Sequence, residues 1–173
     1  IQSADAGDLS ARTLELDQRT NIARVLGAGS LLAKSPSANT KPTDPKQAST
    51  NAPTINWREK AEFTFARDAN AANSKMQLTR AHFLGAVDAS TSGATVRANE
   101  LVTQFVTVSR RDAANKQTTT TLPSQSQAIG QATVTDAANA LFAADIITVK
   151  FAPSADSSNA IPTTFVGSGM ASA

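Results

Sequence analysis

Through the middle of this chain apolar and polar residues alternate with period two, and this alternation predicts three β-strands in series. In 60–66 (Lys-Ala-Glu-Phe-Thr-Phe-Ala), Ala61, Phe63 and Phe65 share one face, and Glu62, Thr64 and Ala66 the other. A polar turn, Asp-Ala-Asn-Ala-Ala-Asn-Ser, leads into 75–84. There Met76 and Leu78 continue the apolar face opposite Gln77 and Thr79. Beyond Arg80 the alternation falters, which predicts a bulge or twist. After a Ser/Gly loop, the third strand (96–109) sets Val102, Val106 and Val108 against Leu101, Thr103, Phe105 and Thr107.

On either side of these strands the pattern changes. Leu14 and Leu16 alternate with polar neighbours, so 13–17 and 21–26 predict a short hairpin turning near Gln18-Arg19-Thr20, with a helix through 14–26 also compatible with the spacing. Residues 35–54 carry Pro36, Pro42, Pro45 and Pro53 among Ser, Thr, Asn, Lys and Gln, which excludes a strand or helix of any length and predicts a loop held by neighbouring subunits. A polar Thr/Gln loop is expected over 110–125. Residues 135–145 then predict an amphipathic helix, with Thr135 or Thr133 as cap, Asp136 at its positive end, and Ala137, Ala140, Leu141 and Ala144 at helical spacing. Residues 146–151 fit a strand or a second helical segment, and 153–173 an extended arm anchored by Phe165 and Val166. The expected fold class is α+β, an antiparallel sheet with an N-terminal hairpin and a C-terminal helix, in one domain over 1–173.

Composition narrows the function. Apolar residues make up 40% of the chain but aromatics only 5%, with no Tyr and one Trp, so the core rests on aliphatic residues and seven Phe. Such a core is thin for 173 residues, and contacts between subunits are the natural supplement. No Cys is present, which removes disulfides, Cys-ligated zinc and thiol catalysis together. The longest apolar run, 25–33, is broken by Gly27, Gly29 and Ser30 and falls far short of the roughly 20 residues that span a bilayer. Residues 1–5 lack the charged and apolar regions of a signal peptide.

Candidate chemistry is sparse. The single histidine, His82, lies mid-strand with no Gly-x-Ser-x-Gly elbow in the chain, which fits a packing or surface role and not catalysis. Gly27-Ala-Gly-Ser30 lacks the Gly-Lys-Ser/Thr of a phosphate loop and is better explained as a turn between two short apolar pieces. The carboxylates show no calcium-loop spacing. No enzyme activity, cofactor, metal, membrane partner or small-molecule substrate is expected.

Charge is more informative when divided. Residues 55–116 hold nine Lys/Arg against six Asp/Glu, a balance of +3, and the remainder seven against eight, a balance of −1. The predicted sheet therefore carries the positive excess. Its polar and basic positions, Thr64, Lys75, Gln77, Thr79, Arg80, Arg97, Asn99 and Thr103, are candidates for contact with nucleic-acid phosphates and bases, although the aromatic stacking platform usual in such sheets is poor.

The order hairpin, loop, three antiparallel strands, helix resembles the coat proteins of single-stranded RNA bacteriophages of the levivirus type. The local likeness lies in Arg67-Asp-Ala-Asn-Ala-Ala-Asn-Ser-Lys75-Met-Gln-Leu-Thr and in Arg97-Ala-Asn-Glu-Leu-Val-Thr-Gln-Phe-Val-Thr-Val, and the resemblance covers roughly 13–147. It implies an intertwined homodimer with one continuous sheet facing single-stranded RNA, helices interlocking outside, and assembly into an icosahedral capsid. It also implies a virion protein assembled in the host cytoplasm. Three stretches depart from that pattern: 35–54, 110–133 and 153–173. The rival expectation is a phage decoration, tail or pilus-like subunit without nucleic-acid contact. A carbohydrate-binding module is disfavoured by the shortage of exposed aromatics.

Overall fold

The computed structural model describes residues 2–3, 7–32, 53–67, 76–91, 93–111, 117–154 and 159–169. They form ten strands and, among the described residues, no helix: β1 (Gln2–Ser3), β2 (Gly7–Asp17), β3 (Ile22–Leu32), β4 (Thr54–Trp57), β5 (Lys60–Arg67), β6 (Met76–Ser90), β7 (Ala94–Arg111), β8 (Gln117–Asp136), β9 (Leu141–Pro153) and β10 (Ala160–Ser168). All pair antiparallel in one sheet, in the order β1-β2-β3-β4-β6-β7-β8-β9-β10, with β5 also between β3 and β6. β4 and β5 are two segments of one ribbon, interrupted at Arg58 and Glu59, whose amides donate to the carbonyls of Gly85 and Leu84 at 2.7 and 3.0 Å.

The predicted hairpin at the N-terminus is present as β2 and β3, with Asp17 opposite Ile22. The three central strands are present as β5, β6 and β7, but two are longer than the alternation indicated. β6 runs to Ser90 and β7 begins at Ala94, so the Ser/Gly loop shrinks to a tight turn at Thr91. The expected α+β class is corrected to all-β.

The helix predicted over 135–145 is a hairpin between β8 and β9. Asp136 caps a turn and not a helix: its carboxylate accepts the amides of Ala138 and Ala140, each at 2.8 Å, while Asn139 takes a positive φ of 63°. Ile146 to Phe151 lies inside β9. Likewise, 117–125 of the expected Thr/Gln loop belongs to β8, and 160–168 of the expected arm is β10 on the edge of the sheet. The helices that were to interlock across an intertwined dimer are absent among the described residues. The loop 35–52 and the turn 68–74 lie outside those residues.

One face of the sheet is the core. Val25, Ala61, Phe83, Leu101, Ala128 and Ile147 align across six neighbouring strand positions, all buried. A second buried row contains Trp57, Val87, Ala98, Ala132 and Ala144. Between the two rows runs a transverse seam of bulges. Gly27 and Ala28 in β3, Gly85 and Ala86 in β6, and Gly130 and Gln131 in β8 each supply one residue more than the adjoining strand. Gly85-Ala86 and Gly130-Gln131 both take positive φ (82° and 46°, 77° and 50°), the left-handed geometry that bends and twists a bulged strand. Gly27-Ala-Gly-Ser30, expected as a turn, is thus the interior of β3.

The seam folds the sheet over its own core face. Gly167 pairs with Ile147, yet a Cβ on Gly167 would meet the Phe142 ring and, at 3.2 Å, the Cβ of Ala144. In a straight strand Ala144 would lie about 10 Å further along. A corner at Asp145 and Ile146 brings them together, as bulged strands do when one sheet turns into two layers. This explains how a single sheet buries Phe83 and Ile147 to 1% exposure.

Candidate functional site

The eight candidate residues do not form one surface. Thr64 and Arg80 are direct cross-strand partners, and Gln104 follows on β7. Thr79 occupies a bulge beside them, its hydroxyl donating to the Thr64 carbonyl at 3.1 Å. Gln77 accepts the Thr107 hydroxyl at 2.6 Å. Arg97 stands beyond the seam, paired with Asp88 at 2.9 Å. Asn99 sits in the seam itself, its amide lying over Gly130. Thr103 is buried on the core face, hydrogen-bonded to Ser126 at 3.0 Å. Lys75 lies outside the described residues.

The outward face carries a line of paired polar side chains over its first half. Arg24 pairs with Glu62 at 3.1 Å, Glu62 lies opposite His82 in the ladder, and His82 meets Glu100 at 2.7 Å, so side-chain contacts link β3 to β5 and β6 to β7. His82 is a structural member of that line. Among the described residues no group of three or more His, Cys, Asp or Glu is placed to hold a metal ion.

Sequence reasoning named Arg80 but missed the other three members of an outward row. Arg80, Gln104, Gln125 and Lys150 stand side by side on β6, β7, β8 and β9, with cations at the ends and amides between. Neither cation makes an ion pair with a described residue. Lys150 was hidden by the ambiguity over 146–151, and Gln125 by its place in the supposed loop.

The most distinctive surface lies at the two edges. The core face stays apolar outward to β2 and β10 but is no longer covered there: Leu14 is 42% exposed, Leu16 61% and Phe165 46%. β1 pairs with β2 only at Gly7 and Asp8, and among the described residues no strand pairs with the outer edge of β2 from Thr13 to Asp17 or with the outer side of β10. The turn that ends β2 is well made. Asp17 accepts the amides of Arg19 and Thr20 at 2.9 and 3.2 Å, and hydrogen bonds from the Thr20 hydroxyl and from these amides lower its carboxyl below the ordinary value.

Compared with protein-family models, curated protein sequences and solved structures, this chain shows no significant match. Of the order hairpin, loop, three antiparallel strands and helix, the hairpin and the three strands are present and the helix is not found among the described residues.

Proposed function

We propose that this protein is a structural subunit that works by self-association, a building block of a virion-type shell or of a phage tail or pilus-like assembly. The observation that carries this reading is the run of core-face side chains to the two edges of the sheet, where Leu14, Leu16 and Phe165 remain exposed beside backbone that pairs with no further strand among the described residues. Exposed strand edges are a liability that monomeric proteins shorten, charge or cover. Here Thr164 to Ser168 carries no charge and no proline. Negative-stain imaging of the purified chain tests the proposal: closed shells, rings or tubes are expected, and a field of dispersed monomers would contradict it.

A second reading adds RNA, as in a coat protein. It rests on the row of Arg80, Gln104, Gln125 and Lys150, which offers two amides and two cations without an ion pair among the described residues to a polyanion across about 14 Å of outward surface. Absorbance at 260 and 280 nm on the assembled fraction separates the two readings. A nucleic-acid excess that falls in an Arg80→Ala/Lys150→Ala variant, with a shallower salt dependence, supports the coat reading. Protein-only particles place the chain with tail, pilus or decoration subunits.

A further inference from the structure

Resting on the self-association proposed above, we infer that copies join head to tail, the β2 edge of one copy pairing antiparallel with the β10 edge of the next, with Leu16 beside Phe165.

Three features of the two edges converge on this pairing. The first is polarity. Every neighbouring pair in the sheet is antiparallel, and eight strand positions lie from β2 to β10 when β4 and β5 count as one. β2 and β10 therefore run in opposite directions, and β10 of one copy continues into β2 of the next without breaking the antiparallel pattern.

The second feature is register. Following the ladder across the sheet, Leu16 shares its row with Ala23, Phe63, Ala81, Thr103, Ser126, Val149 and finally Phe165. Leu14 shares its row with Val25 at one end and with Ile147 and Gly167 at the other. Extending these rows across the junction sets Leu16 against Phe165 and Leu14 against Gly167, where the Phe142 ring already lies over the missing side chain. The exposed apolar residues of both edges thus fall on one common face, and among the described residues neither edge has a further strand partner over the same five rows, from Asp17 and Thr164 to Thr13 and Ser168.

Charge distinguishes this junction from a twofold one. On the outward face of β2 in these rows stand Glu15 and Asp17, whereas β9 and β10 present Lys150, Thr148, Thr164 and Val166. Joining β2 to β10 brings the carboxylates toward Lys150. Joining β2 to a second β2 about Glu15 would set like carboxylates opposite each other, which is unfavourable across strands. A head-to-tail junction uses two different surfaces, so it propagates into a ring or an open helical filament and not a closed dimer.

Because the chain has no cysteine, disulfide trapping has no background. Glu15→Cys and Val166→Cys occupy exposed positions predicted to be cross-strand partners, and Thr13→Cys with Ser168→Cys form a second pair in the same register. Mixing the two single variants of either pair under mild oxidation is expected to give mainly the mixed disulfide dimer, and the double variant a ladder of linked oligomers. Symmetric dimers of single variants would overturn the inference in favour of twofold edges. A double variant that cyclises as a monomer would overturn it in favour of closure within one chain. If the wild-type chain sediments as an assembly but neither pair cross-links, the junction is wrong while self-association stands. If the wild-type chain is monomeric at every concentration, both fall.

Discussion

The rings of Phe142 and Phe165 meet edge to face with centroids 4.9 Å apart, although the ladder partner of Phe165 is Val149, seven residues along β9 from Phe142. A straight strand would separate them by about 23 Å. Their contact is a direct consequence of the corner at the glycine seam, and it clamps the last two strands. Replacing each ring by alanine, singly and together, should show a coupling of about 1 kcal/mol in chemical denaturation, the value typical of aromatic pairs. Additive losses would mean the two rings do not meet in solution.

At the other end of the seam Gly29 is held against Trp57. The Trp57 indole N–H donates to the Gly27 carbonyl at 3.1 Å, and its ring occupies the space a side chain on Gly29 would need, with the Ser10 carbonyl oxygen 2.8 Å from the same point. Gly29→Ala should cost about 1–3 kcal/mol by overpacking. The cost should shrink in a Trp57→Leu background without vanishing, because the Ser10 oxygen remains. A neutral Gly29→Ala would contradict the close approach of β2, β3 and β4.

Thr103 provides a test of facing. Its hydroxyl is buried and shared with Ser126, so Thr103→Val should destabilise the chain by about 1–2 kcal/mol by leaving the Ser126 hydroxyl without that partner. The same substitution should leave nucleic-acid retention unchanged. A stable variant with reduced retention would return Thr103 to the outward surface.

The β2–β3 turn makes a pH-dependent contribution. Hydrogen bonds from the Thr20 side chain, and from the Thr20 and Arg19 amides, favour the ionised carboxyl of Asp17, so its folded value lies below the unfolded reference of 3.8. The contribution is therefore fully present above that reference and is lost as pH falls through the lowered folded value. Asp17→Ala should be less stable than the parent chain at neutral pH, and the two curves should converge in strong acid. A gap that persists unchanged below pH 2 would place the effect of the substitution elsewhere than in the carboxylate.

Much of the sheet was legible because its central strands alternate cleanly. Ala61 and Phe63 point to the core as their spacing predicts, and the hairpin about Gln18-Arg19-Thr20 is where its polar residues place it. What misled was alanine. Ala137, Ala140 and Ala144 satisfy helical spacing, but small residues also satisfy a turn and a strand, and the Asp136 carboxylate caps the amides of either. The Thr-rich start of β8 resembles a loop by polarity, yet Thr is β-branched, and Thr119 to Thr121 pair with Ser109, Val108 and Thr107. The seam was invisible for a related reason: Gly-Ala and Gly-Gln dipeptides signal turns locally, and only the ladder on both sides shows that the strand continues. The scattered candidate surface follows directly. Bulges shift facing, so Thr103, Asn99 and Arg97, close in sequence, end on the core, in the seam and on the far outward half.

The central claim, self-association through exposed sheet edges, is tested most directly by sedimentation velocity of the purified 173-residue chain across a wide concentration range, alongside Leu16→Lys and Phe165→Lys variants. The account predicts species well above 17.9 kDa for the parent chain, growing with concentration, and a shift toward monomer in either variant while the β-sheet spectrum is kept. A single monomeric boundary at every concentration, or assemblies unaffected by a lysine at either edge, would contradict it.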